Sequence, residues 1–278
     1  MIDHRRPPSS SFSAFRLPSG ETAWGPSDIE LKIPERSALA PDRLHYLIYI
    51  PWHDKYFRFV PEAYRDFFEA VLPYLRARTT DVHVATCLPF VKELIAASDE
   101  VVDETVITVA FILHDSGWSQ MSEDEIAHSL GVTGLALSGA AVDPKARHAA
   151  LGKEIAERVL GSVRRQPPLT ESQKDLIYKA ILYHDKPWEL AGQGGLPASV
   201  KLVCDVDHLW SFTHENFWQD TARKSVAPDS YLKNLENDLD GYFVTEQGKR
   251  KARSLIEERR VEVEEWVSIS GSIPRRSR

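Results

Sequence analysis

The chain has 278 residues, 42% of them hydrophobic, with 41 acidic against 34 basic side chains and a formal net charge of −7. That is ample apolar material for one large domain or two small ones. The acidic balance argues against a nucleic-acid backbone as the main partner but leaves small anionic substrates open, because a local cavity or a metal reverses the field. No apolar run approaches the roughly 20 residues that cross a bilayer, the opening MIDHRRPPSSSF leads into no apolar signal segment, and Cys87 and Cys204 build no disulfide framework; a reduced, cytoplasmic, globular protein with no membrane partner is expected.

Residues 1–42 carry Pro7, Pro8, Pro18, Pro26, Pro34 and Pro41 among serines, and predict an extended arm with no strand pattern. His53-Asp54, in PWHDKYFRF, follows no amphipathic helix and is expected to lie outside any chemistry. Pro61 to Leu75 has Tyr64, Phe67, Phe68, Val71 and Leu72 at helical spacing. From Asp81 to Ala97, Val84, Leu88, Val91 and Leu94 mark a second buried face, with Asp81 as cap, His83 in the first turn and Pro89 expected to bend the helix or restrict its start. Val101 to Trp118 is the most apolar stretch: Val102, Val106, Val109, Ala110 and Leu113 recur at three- and four-residue steps and stop at Ser116-Gly117. A buried helix therefore delivers His114 and Asp115 at its C-terminal end.

Residues 119–145 break this pattern and read equally as a lid or substrate-specifying insert and as a surface excursion. After Pro144, KARHAALGKEIAERVLG puts His148, Gly152, Ile155 and Val159 on one helix face; after Pro167-Pro168, Thr170 caps a helix that ends at His184. SVKLVCDVDHLWSFTHENFW predicts one further helix, with Asp205 and Asp207 among Val203, Cys204, Val206 and Leu209. Carboxylates in such surroundings need a cation or hydrogen-bond donors. Beyond Thr221 the chain is charge-rich, with a helix over 247–267 and a basic tail over 268–278. The expectation is an all-α fold: an arm over 1–42, a helical domain over 43–220 with its core at 81–218, and a C-terminal helical extension and tail over 221–278.

Collected, the helix-borne polar residues run His83, His114-Asp115, His148, His184 and Asp205. In this order, on helices that include TVITVAFILHDSG, HAALGKEIAERVL and SVKLVCDVDHL, they resemble the HD-domain superfamily of metal-dependent phosphohydrolases over about 81–218. The resemblance implies a basic quartet of His83, His114, Asp115 and Asp205, with His148 and His184 added as in members that hold two metals, where the Asp of the HD pair bridges both. Asp207 would then support the ligands from behind or serve as a helix-capping ion-pair partner, although the exchanged assignment, Asp207 as ligand, stays open; Asp185 would not ligate. Imidazole with carboxylate suits Fe, Mn, Co, Ni or Zn better than Ca or Mg. The resemblance further implies a phosphohydrolase cleaving a small anionic metabolite or nucleotide by a metal-bound hydroxide, with Asp115 as its bridging catalytic carboxylate.

Arg147, Lys186 and Lys201 lie near these positions in sequence and are candidate phosphate contacts. The family often has Lys after the glycine of its HD phrase; here HDSGW presents Trp118, which could wall a base or an apolar substrate. No G-Y-P phrase comes after His184, which argues against a cyclic-dinucleotide phosphodiesterase. Two other functions stay open. The same six positions resemble those of inositol oxygenase, a diiron enzyme, which implies C–C or C–P cleavage; or the helices form a non-catalytic binding module, against which the filled ligand positions argue.

Overall fold

A computed structural model describes residues 12–17, 20, 22–130, 143–162, 167–192 and 195–270. In the arm, Phe12–Arg16 (β1) and Thr22–Pro26 (β2) form an antiparallel hairpin, where no strand was expected. Pro26 ends its strand, so its missing N–H breaks no interior ladder bond. What fixes so short a hairpin is tertiary: Phe12 meets Trp218 edge-on, ring centroids 5.2 Å apart.

Eleven α-helices come next among the described residues, joined by short 3-10 turns. Arg65–Val71 (α1) is flanked by 3-10 turns, the second holding Pro73. Thr80–Ala96 (α2) runs on through Pro89, and Asp81 is not its cap: it sits inside the first turn, its carboxylate accepting from the Val82 N–H at 2.8 Å. Glu104–Leu113 (α3) starts where the Asp103 carboxylate accepts from the Val106 N–H. Glu123–Ser129 (α4) and Glu171–Tyr183 (α6) both open on capping boxes, Ser122 with Glu125 and Thr170 with Gln173; Pro144–Ser162 (α5) lies between them. Pro187–Gly192 (α7) leads to Ala198–His208 (α8).

The helix expected to run on from Asp205 to Trp218 is broken. A 3-10 turn, Leu209–Phe212, intervenes, and the Thr213 side chain caps a new helix, His214–Lys224 (α9), by accepting from the Asn216 N–H. Pro228–Tyr242 (α10) was not expected, and Glu246–Ser270 (α11) extends the helix read over 247–267. The expected all-α class holds, with only the two-stranded sheet beside it. None of the helices is long and apolar enough to cross a membrane, among the described residues. Part of the 119–145 insert, the N-terminal end of the arm and the final residues of the tail lie outside the described residues.

Packing places α3 at the centre: every residue from Val106 to Leu113 is buried, and the helix contacts α2, α6 and α8. A helix apolar on all sides has no solvent face to offer. Each large side chain on it, such as Phe111 or Ile112, contributes roughly 1.5–3 kcal/mol by leaving water. So rigid a mount fixes whatever stands at its C-terminal end.

The α9 helix ties the arm down electrostatically. His214 lies between Glu262 of α11 at 2.9 Å and Asp28 of the arm at 3.3 Å. Burial opposes its charge, but the two carboxylates win and push its pKa from 6.5 up to about 9. A histidine with a raised folded-state pKa contributes stability that is fully present below the unfolded value and lost as pH rises through the folded one. Unfolding free energy should therefore fall by roughly 2–3 kcal/mol between about pH 6.5 and 9 from this group. Denaturant titrations across that window should show the slope in the native chain and lose most of it in His214→Gln; equal slopes would remove this role.

Candidate metal centre

His114 and His184 end α3 and α6 in the same way. In each, Nδ1 donates to the carbonyl three residues back, His114 to Phe111 and His184 to Ile181, both at 2.6 Å. With Nδ1 carrying the proton, Nε2 of a neutral ring presents its lone pair to the interior; orientation by a backbone carbonyl is the usual support of a metal-bound histidine. His83, from the first turn of α2, stacks on Trp210, and His148, from α5, stacks on Trp118 at 4.1 Å. All four imidazoles are buried.

Between them lies Asp115, whose two oxygens face different neighbours. Oδ2 is 3.4 Å from His83 Nδ1 and 3.5 Å from His114 Nε2, while Oδ1 is 3.3 Å from His148 Nε2 and 3.4 Å from His184 Nε2. Asp207 of α8 completes the first group, its Oδ1 3.4 Å from His83 Nε2 and 3.1 Å from His114 Nε2. Donor atoms of His83, His114, Asp115 and Asp207 thus lie within 4.8 Å of one another, as do those of Asp115, His148 and His184. A third group, Asp185, Asp207 and His208, adjoins them.

Donor chemistry fits a cation. His148 and His184 bring Nε2 atoms to 3.0 Å of each other, and His83 Nε2 has no hydrogen-bond partner. Lone pairs and carboxylates crowded in a buried space repel unless a proton or metal ion stands between them. The carboxylates also favour a proton on one ring: although burial opposes it, Asp115 and Asp207 push His114 up to about 9. Burial likewise opposes ionisation of Asp115 and Asp207, but His114 and its neighbouring imidazoles hold both carboxyls below the usual range. His83 and His148 are lowered, mainly by burial, and so keep nitrogen lone pairs free at neutral pH.

The expectation for Asp205 is corrected. Its carboxylate is buried but turned away, accepting from the N–H of Val244 at 2.7 Å, the N–H of Thr245 at 3.0 Å and the Thr245 hydroxyl. It anchors the entry to α11, where a Cβ on Gly248 would come within 2.5 Å of its Oδ2. Burial raises its pKa to about 6 against those donors. Asp205→Asn should cost about 1–3 kcal/mol of stability, because one buried donor loses its acceptor, and leave the metal content unchanged. Chemical denaturation and metal analysis of that variant check both, and loss of metal would restore Asp205 to the ligand set.

The sequence-nominated cations are not at the cluster. Arg147 pairs with Glu125, Lys186 is 3.5 Å from Glu189 and lies over the Tyr183 ring, and Lys201, on α8, forms no ion pair among the described residues. Trp118 is no open wall either: 2% exposed, it packs on His148 and donates from Nε1 to Asp115 Oδ1 at 3.0 Å. His53 pairs with Glu30 at 2.8 Å, apart from the site as expected. Two cations that sequence reading missed touch its surroundings. Lys145 is 2.8 Å from Asp185 and close enough for its charge to act on Asp207, and the Arg78 guanidinium lies 4.1 Å over Trp118. Arg78 stands five residues before His83 and Lys145 three before His148, but no local pattern around either residue marks it.

Fold and site together define an all-α protein with a buried His/Asp cluster that could hold metal. Compared with family models, with curated proteins and with solved structures, the chain finds no match in any of the three.

Proposed function

We propose that the chain is a metal-dependent phosphohydrolase of the HD-domain kind with a dinuclear centre. One ion would be held by His83, His114, Asp207 and Oδ2 of Asp115, and the other by His148, His184 and Oδ1 of Asp115. The observation that carries this reading is the placement of Asp115, one oxygen toward each group of imidazoles. Bound there, two transition-metal ions would supply Lewis-acid activation of water near neutral pH and neutralise phosphoryl oxygens. Fe, Mn, Co, Ni and Zn all suit these donors.

The chain's own residues supply position. Trp118 orients Asp115, the Phe111 and Ile181 carbonyls orient His114 and His184, and Trp210 and Trp118 cover His83 and His148. Lys145, held by Asp185 at 2.8 Å, would be the ammonium that donates to a phosphoryl or leaving-group oxygen. The substrate would be a small phosphate ester; no nucleic-acid surface is invoked.

Four imidazoles to two carboxylates is a nitrogen-rich set that also suits iron, and this favours one second reading, a diiron oxygenase cleaving a C–C or C–P bond. One experiment separates them. Metal is measured in chain purified without supplement, then phosphate release from nucleotides, sugar phosphates and phosphonates is followed with each metal, in air and under argon. About two ions per chain and oxygen-independent release support the hydrolase. Release that requires oxygen overturns it in favour of the oxygenase, and a chain that takes up no added metal defeats both readings.

A further inference from the structure

We propose that a cavity linked to the metal cluster through Trp118, between the 3-10 helix Pro41–Leu47 and the turn entering α2, binds a small aromatic or planar anion at a site separate from the cluster, with Arg78 as its charge anchor. The cavity measures about 330 Å³ and is lined in part by Tyr46, Tyr49, Arg76, Arg78, Glu123 and Arg223. That size suits a small organic anion.

Its charge is the reverse of the chain's. Three arginines face one glutamate in a protein of net charge −7. Glu123 is already committed, its Oε2 accepting from the Ser37 hydroxyl at 2.7 Å and the Ala38 N–H at 2.8 Å. Arg223 is committed as well: its Nε donates to the Ile48 carbonyl at 2.7 Å, and its guanidinium faces Asp220. Arg78 differs. Among the described residues its guanidinium has no carboxylate partner and rests on the Trp118 ring. A guanidinium held over an indole face by its central carbon keeps N–H donors for a phosphate or carboxylate.

The backbone is held in an unfavourable conformation to put it there. Arg78 and Thr79 both lie in the left-handed region, at φ 55° and 70°, and for a β-branched threonine this is strained. Surrounding bonds enforce it: Thr79 Oγ1 accepts from Gln219 Nε2 at 2.8 Å and from the Ile50 N–H at 3.1 Å, and the Arg78 carbonyl accepts from Arg223 at 3.4 Å. The same guanidinium joins the cavity to the metal cluster. Beneath it, Trp118 stacks on His148 and donates to Asp115, and Lys145 is near enough to sense the Arg78 charge. Tyr46 and Tyr49 offer aromatic surface for the rest of the ligand.

The anion site does not rest on the hydrolase reading. Calorimetric titration of the full chain with inorganic phosphate and with phenyl phosphate, metal-stripped and metal-loaded, tests it. Phenyl phosphate should bind the stripped chain about tenfold more tightly than inorganic phosphate. Arg78→Asn, whose new side chain tolerates the left-handed backbone, should weaken both by at least about tenfold at unchanged metal content, Arg78→Lys should fall between, and Tyr46→Leu should abolish the phenyl preference alone. Native affinity in both Arg78 variants, or anion binding that vanishes on stripping the metal, would overturn the site. Anion binding without turnover of any phosphate ester would uphold the site and defeat the hydrolase reading.

Discussion

Asp115→Asn is expected to empty both halves of the centre at once: metal content should drop from about two ions to less than one per chain, and phosphate release should fall beyond the ~10–100-fold typical of losing a supporting contact. The reason is geometric. Oδ1 and Oδ2 each face two imidazoles, so an amide in place of the carboxylate removes an anionic donor from both groups while preserving shape and, through its remaining oxygen, the bond from Trp118. Asp207→Asn is the contrast. Its Oδ1 lies against His83 and His114 and pairs with neither His148 nor His184 among the described residues, so it should cost one ion and leave the His148–His184 half able to bind. Metal analysis by mass spectrometry, with melting curves recorded with and without chelator, reads the difference. Asp115→Asn should melt at the same temperature in both conditions, whereas the native chain should be stabilised by metal. Two ions retained in Asp115→Asn would end the bridging role.

The parts of this site that could be read from sequence are those set by local rules. Apolar spacing from Val102 to Leu113, ended by Ser116-Gly117, was enough to place His114 and Asp115 at a helix end, and the same reasoning placed His184; the structure puts both imidazoles on matching carbonyl supports. Choosing between Asp205 and Asp207 was beyond such rules. Two residues on a helix differ by roughly 200°, so the two carboxylates point to opposite sides, but Val203, Cys204, Val206 and Leu209 make both sides apolar. What decides is α11: the N–H groups of Val244 and Thr245, far along the chain, claim Asp205 and leave Asp207 for the histidines. A cluster of buried carboxylates need not all serve one purpose.

Other misses divide in the same way. The α10 helix had a legible signal, Pro228 at its start and Tyr231, Leu232, Leu235 and Leu239 at helical steps, that the density of charge around it obscured. The break before α9 was legible too, as Thr213 ahead of a helical run. The hairpin was not: β1 and β2 are five residues each, and the contact of Phe12 with Trp218 that holds them joins segments far apart in the chain. Arg78 lay hidden for the same reason, since its importance comes from Trp118 beneath it rather than from its own surroundings.

Gly117→Ala should separate the two halves that Asp115 joins. A Cβ at this position would stand 1.9 Å from the His148 carbonyl oxygen and 2.6 Å from the Gly152 nitrogen, both backbone atoms of α5, which cannot turn aside as a side chain would. Either the Ser116–Gln120 turn or α5 must retreat, and α5 carries His148. Overpacking of this kind costs typically 1–3 kcal/mol, and a shift well under the 3.3 Å now separating His148 from Asp115 is enough to spoil ligation. The expected outcome is a less stable chain that binds one ion in place of about two, the His83, His114 and Asp207 half being the one kept. Gly161→Ala, on the same helix with nothing within 4 Å of its added methyl, serves as control and should be neutral or slightly stabilising, by less than about 1 kcal/mol. The pair of variants isolates close backbone approach from any general effect of alanine on α5. Full metal content in Gly117→Ala would show that His148 does not depend on that approach, and the second half of the centre would lose its structural basis.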